Sequence, residues 1–238
     1  MDVTFKSRNH EYLYGDIKLI SVSKLIEQYH EPFNEKMIAA IVARKKGLPI
    51  KAILSDWKRA RDDGTEVHKL CEELLTNKEL YNINDKYRPY VENAFKFLTS
   101  FTKDEINMIT PEMLLYSIDD GVAGTSDIVL INHKKKYICV YDWKKVDKFD
   151  MLSYNNKTMH MPINHLVDTK YNKYSLQLSI YAYMLQLKYP EYVIQEIAFI
   201  QLTNETYRKY NTPYLKTDVI NLLKHYNGDK KCGKQVLL

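Results

Sequence analysis

The stretch from residue 112 to 143 constrains this chain most. Glu112 to Ile118, Val122 to Asn132 and Tyr137 to Trp143 read as three short strands. Asp119-Asp120-Gly121 marks the first turn, and Asn132-His133-Lys134-Lys135-Lys136 the second. Strands joined through tight turns pair as an antiparallel meander. Folding the chain back about the second turn sets residue 127 beside residue 142, where facing Cβ atoms lie about 4.5–5.5 Å apart. A one-residue slip would send the two side chains to opposite faces, so the register decides what this block can do.

Helical spacing surrounds the block. Ser21-Val22-Ser23 can cap a helix through Leu25, Ile26 and Tyr29. Phe33 to Lys46 carries Met37, Ile38, Ile41 and Val42 at helical intervals, and Gly47 with Pro49 ends it. Ile50 to Ala60 is a further candidate, and Asp63-Gly64-Thr65-Glu66 resembles a capping box opening a separate helix to about Leu75. Asp85 to Phe101, Tyr174 to Leu187 and Tyr214 to Tyr226 complete the helices, with Val193 to Leu202 as a fourth strand. The expectation is a single α/β (α+β) domain over residues 1–238 with a small mixed central sheet flanked by helices. Residues 1–62 would form a helical N-terminal part, 63–202 the core, and 203–238 a C-terminal helix and tail. Residues 145–173 read as a long irregular loop, a length that goes with function or disorder.

Composition narrows the class. With 238 residues, 45% hydrophobic and 27% charged, one sizeable core is expected. A formal charge of +5 permits a polyanionic partner without demanding one. The 20 tyrosines can pack, or stack on unpaired bases. Three scattered cysteines (Cys71, Cys139, Cys232) offer no CxxC pair, which argues against a structural zinc site or an iron–sulfur cluster. There is no apolar leader and no run long enough to cross a bilayer, so a soluble intracellular protein with no membrane partner is expected.

Several residues carry candidate chemistry. Asp142 and Lys144 share one face of their strand, behind the apolar Ile138 and Val140. They are either a strand-end ion pair or a metal-binding carboxylate beside a cation that serves a phosphate or an attacking water. Asp127, in Gly124-Thr125-Ser126-Asp127, would face Asp142, and two facing carboxylates repel unless a cation lies between them. Such oxygen-rich sites suit Mg²⁺ or Mn²⁺ better than Zn²⁺. Glu112, behind Pro111, either joins the cluster or is a surface glutamate. His68 lies one helical turn before Glu72 and is either a structural histidine or a ligand. Gln177 and Tyr181 share a helix face at i and i+4, and either pack there or reach a common object.

Taken together, these motifs resemble the RecB-type branch of the PD-(D/E)XK nuclease superfamily. They are Gly64-Thr65-Glu66-Val67-His68, Pro111-Glu112, Gly124-Thr125-Ser126-Asp127, Asp142-Trp143-Lys144 and Gln177-Leu178-Ser179-Ile180-Tyr181, in the family's order over residues 64–181. The start Ser21-Val22-Ser23-Lys24-Leu25 is similar to exonucleases of phages and of mitochondrial genome maintenance. The resemblance implies a restriction-endonuclease-like core and one or two Mg²⁺ or Mn²⁺ ions held by His68, Asp127, Asp142 and the Trp143 carbonyl. It implies catalytic roles for Lys144 and Glu112, with Gln177 and Tyr181 contacting Lys144 or the DNA backbone. Relatives bearing an iron–sulfur cluster use four cysteines, so a cluster-free member is expected. Lys145, Arg61 and Tyr181 are candidate strand contacts, and DNA with a free end or a single strand is the implied partner. A phage or bacterial cytoplasmic setting is implied as well. Two rivals stand beside this reading: a catalytically silent nucleic-acid-binding subunit, and a nucleotide phosphohydrolase.

Overall fold

The computed structural model describes residues 2–6, 9, 11–76, 83–102, 108–146 and 156–235, with side chains through residue 228. The strands are β1 (Val3–Lys6), β2 (Glu11–Tyr14), β3 (Ile17–Ser21), β4 (Met108–Ser117), β5 (Val122–Asn132), β6 (Tyr137–Lys144), β7 (Val193–Leu202) and β8 (Tyr207–Asn211). The helices are α1 (Val22–Glu27), α2 (Glu35–Lys46), α3 (Ile50–Leu75), α4 (Arg88–Thr99), α5 (Lys170–Lys188) and α6 (Lys216–Gln235). Among the described residues the strands form one mixed sheet in the order β1-β2-β3-β5-β6-β7-β8, with β4 also paired to β5.

The β4–β5–β6 meander forms as expected, both pairings antiparallel. Its middle strand is buried on both faces. Ile128 and Leu130 pack with Tyr141 and Trp143 under Val67 and Cys71 of α3 and Phe97 of α4. Val129 and Ile131 pack with Val140 against α1, α5 and α6 through Leu25, Leu176 and Leu222. Strand alternation explains the split: successive side chains go to opposite layers, and both layers are apolar. The chain then crosses over through α5 and returns as β7, parallel to β6.

Several expectations need correction. The N-terminal part holds the expected helices but is not wholly helical: ahead of them β1, β2 and β3 form an antiparallel meander, and β3 joins β5 in parallel at Ile20 and Ser21. Among the described residues the mixed sheet therefore holds eight strands, seven in one path with β4 beside β5, and is larger than expected. Strand β8 pairs with β7 in a region expected to hold only a helix and tail. Helix α5 begins at Lys170, capped by the Thr169 hydroxyl, not at Tyr174. Within the expected 145–173 loop, residues 147–155 lie outside the described residues, and the rest is an ordered turn bridged by Thr158 and Val167.

The expected break at Gly64 is also absent. α3 runs unbroken through 26 residues, across the anticipated boundary at residue 62. Asp63 does not cap a new helix. Its carboxylate accepts hydrogen bonds from Lys86 Nζ at 2.6 Å and Tyr87 Oη at 2.9 Å. Packing of Val67, Leu70 and Cys71 outweighs the roughly 1 kcal/mol helix cost of one glycine. In α2, the buried residues are Ala39 and Ala43, while Met37 and Ile41 of the expected apolar stripe face solvent.

A Cβ at Gly64 would meet nothing within 4 Å. Gly64→Ala should therefore stabilise the chain by about 0.5–1 kcal/mol, read as a raised urea midpoint with an unchanged m-value. A lowered midpoint would contradict the continuous helix.

Candidate active site

The strand register carries three acidic residues to one place. Ile128 opposes Tyr141 and Asn132 opposes Tyr137. Continued one step past its last pair, this register would set Asp127 beside Asp142, and the charges of the two side chains do act on each other. On the other side of β5, Pro111 opposes Ile128 and Met113 opposes Ser126. These pairs bracket Glu112 and Asp127. Glu112 drops out of the regular ladder because its φ is 45°, a left-handed value unfavourable for a residue with a side chain. Glu112, Asp127 and Asp142 thus form a row across three strands, with Lys144 two residues beyond Asp142.

Buried charges need compensation, and here it is specific. Asp127 accepts a hydrogen bond from the Trp143 backbone N–H at 2.8 Å, and His68 Nδ1 lies 3.1 Å away; both contacts use Oδ2. Asp142 forms an ion pair with the Lys144 ammonium. The ammonium contacts Asp142 Oδ2, pairing two buried charges. Lys144 Nζ also sits over the Tyr174 ring, 4.3 Å from its centroid.

The charges shift one another's pKa values. Burial opposes the charged form of Asp127, yet His68 and then Lys144 outweigh it and lower the pKa. For Asp142, burial and then the neighbouring Asp127 charge win, so its pKa rises. Burial works against the protonated forms of His68 and Lys144. Asp127 outweighs it at His68, while Asp142 and then Asp127 outweigh it at Lys144, so both pKa values rise. Glu112 keeps an exposed edge, but the surrounding protein shields its carboxyl. That shielding, then Asp127 and Glu72, push its pKa up to about 7.

The row lies at an open cavity of about 630 Å³ whose walls include Tyr12, Arg61, His68, Glu112, Asp127 and Tyr181. Asp142 and Lys144 lie behind this lining, at 4% and 14% side-chain exposure. Gln177 Nε2 donates to Tyr181 Oη at 3.0 Å. Both residues face the cavity, though Tyr181 is only 3% exposed. Gly124 is needed for that wall: a Cβ there would lie 2.6 Å from Tyr181 Cε1 and 3.1 Å from Val22 Cγ2. Of the strand-contact candidates, Arg61 lines the cavity while bonding Glu35 at 2.7 Å. Lys145 instead points to Asp63, at 3.8 Å, and to the Tyr90 ring. Lys58 and Arg59 pair along the α3 surface with Asp62 and Asp56.

Two contributors escaped the sequence reading. Tyr12, on the unanticipated β2, lines the cavity, and its hydroxyl is 3.2 Å from Thr125 Oγ1. Tyr174, read only as a helix start, supplies the ring beneath Lys144.

A hard divalent cation fits the donor chemistry. Two carboxylates, Glu112 and Asp127, and the His68 imidazole line the cavity, and the buried Asp142 couples electrostatically to Asp127 and His68. Among the described residues, however, no group of three or more His, Cys, Asp or Glu stands ready as a metal cage. Instead, His68 and Lys144 neutralise the two aspartates.

Comparisons with known proteins add little. No family model matches, and no curated protein matches. Among solved structures, SSO0001 is 14% identical, with a TM-score of 0.34, covering 90% of this chain and 77% of that one. A candidate exonuclease from Eubacterium rectale is 11% identical, with a TM-score of 0.38, covering 94% and 87%. Both likenesses are too distant to establish a family or an activity.

Two outcomes follow from the geometry. A Glu112 pKa raised from 4.5 to about 7 means the folded chain holds that proton more tightly than the unfolded chain, so this group's stabilisation is lost as pH rises through that window. Without divalent cations, Glu112→Gln should raise Tm at pH 8 and flatten the Tm–pH curve between those values; an unchanged curve would contradict the shielded environment. Gly124→Ala should destabilise by about 1–3 kcal/mol through overpacking, read as a lower urea midpoint, and a neutral result would contradict the close Tyr181 approach.

Proposed function

We propose that this chain is a divalent-metal-dependent DNA nuclease of the PD-(D/E)XK kind, an exonuclease or end-processing enzyme. The observation that supports this reading is the row Glu112–Asp127–Asp142 followed by Lys144, with His68 closing on Asp127 at one open cavity. Asp127, Asp142, His68 and the Trp143 carbonyl would hold Mg²⁺ or Mn²⁺, with Glu112 beside them. A divalent ion bound there supplies charge neutralisation for a phosphate and lowers the pKa of a bound water.

The chain's own groups do the rest. Lys144, kept protonated by Asp142 and Asp127, adds a fixed positive charge where phosphodiester hydrolysis builds negative charge. The Glu112 carboxylate, titrating near neutrality, is suited to accept the proton of an attacking water. Gln177 and Tyr181 offer an amide and a phenol from the cavity wall, suited to bonding phosphate oxygens. Arg61, also on the wall, is better placed than Lys145 to attract the strand.

The test is digestion of end-labelled single- and double-stranded DNA with Mg²⁺ or Mn²⁺. Wild type should cut only with a divalent ion. Asp142→Ala and Lys144→Ala should each lose at least about 10²-fold in rate. Equal cutting by wild type and Asp142→Ala would overturn the mechanism. DNA binding without metal-dependent cutting would mark a silent binding subunit, and turnover of free nucleotides alone a phosphohydrolase.

A further inference from the structure

The surface of α2 is apolar where solvent should favour polar groups. Phe33, Met37 and Ile41 recur every four residues and are 65%, 54% and 46% exposed. They form one stripe, and Leu48, also 46% exposed, lies just beyond its end. The opposite face of α2 is already in use: Ala39 and Ala43 pack on Ile53 of α3. Phe33 meets Trp57 of α3, with ring centroids 5.9 Å apart, while Met37 and Ile41 join no hydrophobic cluster among the described residues. A groove of about 500 Å³ runs beside it, floored by Phe33, Met37 and Ile41, with Glu31 and Lys45 also in its wall.

Charge along this surface is polarised. Glu31 and Glu35 stand at the start of α2, and Arg44, Lys45 and Lys46 fill its last turn. Glu31 lies 3.5 Å from His160 and Glu35 bonds Arg61, yet their side chains remain 59% and 40% exposed. Such a face complements its own image. Turned through 180°, a second α2 sets its basic end against the first one's acidic start, apolar stripe on apolar stripe, with helix dipoles opposed.

We propose that the exposed face of α2 is a self-association surface, on which a second copy of this chain packs its α2 antiparallel about a two-fold axis. The contact is isologous, and Glu31 of each copy faces Lys45 of the other. A twelve-residue helix is about 18 Å long. The interface is therefore at the small end for specific contacts, and the dimer is weak, with Kd on the order of micromolar. Glu31, Ile41 and Lys45 lie outside the lining of the catalytic cavity.

Sedimentation equilibrium on the full chain over a concentration series tests this, with circular dichroism confirming the fold of each variant. Wild type should show a monomer–dimer equilibrium. Ile41→Lys, Lys45→Glu and Glu31→Lys should each weaken it at least about tenfold. Lys45→Glu mixed with Glu31→Lys should restore dimer, because each repulsive pair becomes attractive in the heterodimer. A monomer at every concentration, open-ended association, a dimer indifferent to Ile41→Lys, or a mixture that fails to restore it would each overturn the proposal.

Discussion

The whole site depends on compensating two carboxylates that the sheet holds side by side. Antiparallel pairing of β5 and β6 up to Ile128 and Tyr141 brings Asp127 and Asp142 close together, with Asp142 buried and Asp127 at the cavity wall. Ionised together and unpaired, they would cost several kcal/mol. The chain answers with two groups from different elements: His68 from the C-terminal third of α3, and the Lys144 ammonium from the same strand as Asp142. The continuity of α3 is part of this answer, since a break at Gly64 would leave His68 in the first turn of a separate helix with nothing fixing its aim. Asp63 ties α3 to Lys86 and Tyr87, just before α4.

Seen this way, surrounding details acquire reasons. The left-handed Glu112 breaks the β4 ladder where a third carboxylate joins the row. Gly124 lets Tyr181 approach within van der Waals range of β5, so that α5 closes the cavity. Tyr174 beneath Lys144 offers a π face to the buried ammonium that pairs with Asp142. A compensated pair of this kind is also a store of negative charge. With Lys144 displaced from Asp142 and His68 turned from Asp127 to share the ion, the freed oxygens would suit a hard cation.

Much of this was legible in the sequence, for a physical reason. The meander is joined by tight turns, so its register follows from counting, and the facing of Asp127 and Asp142 came with it. The i, i+4 rule placed Gln177 and Tyr181 together, and their hydrogen bond bears it out. The N-terminal strands were missed because each has only four or five residues and mixes charged with apolar positions, so alternation never rises above background. Gly64 misled because local capping chemistry looked complete, while the partners of Asp63 lie more than twenty residues away in sequence. The fates of Arg61 and Lys145 were hidden similarly: only the folded chain brings Glu35 to one and Asp63 to the other. Propensity sees a surface charge but not its tertiary partner.

The central claim is that this compensated row exists to receive a divalent ion. A crystal structure of the protein with Mn²⁺, read by anomalous scattering, tests it most directly. The account predicts a manganese peak in contact with Asp127 and Asp142, with the Lys144 ammonium displaced from Asp142. A well-ordered site under saturating Mn²⁺ with no peak, His68 still on Asp127 and Lys144 still on Asp142, would contradict it.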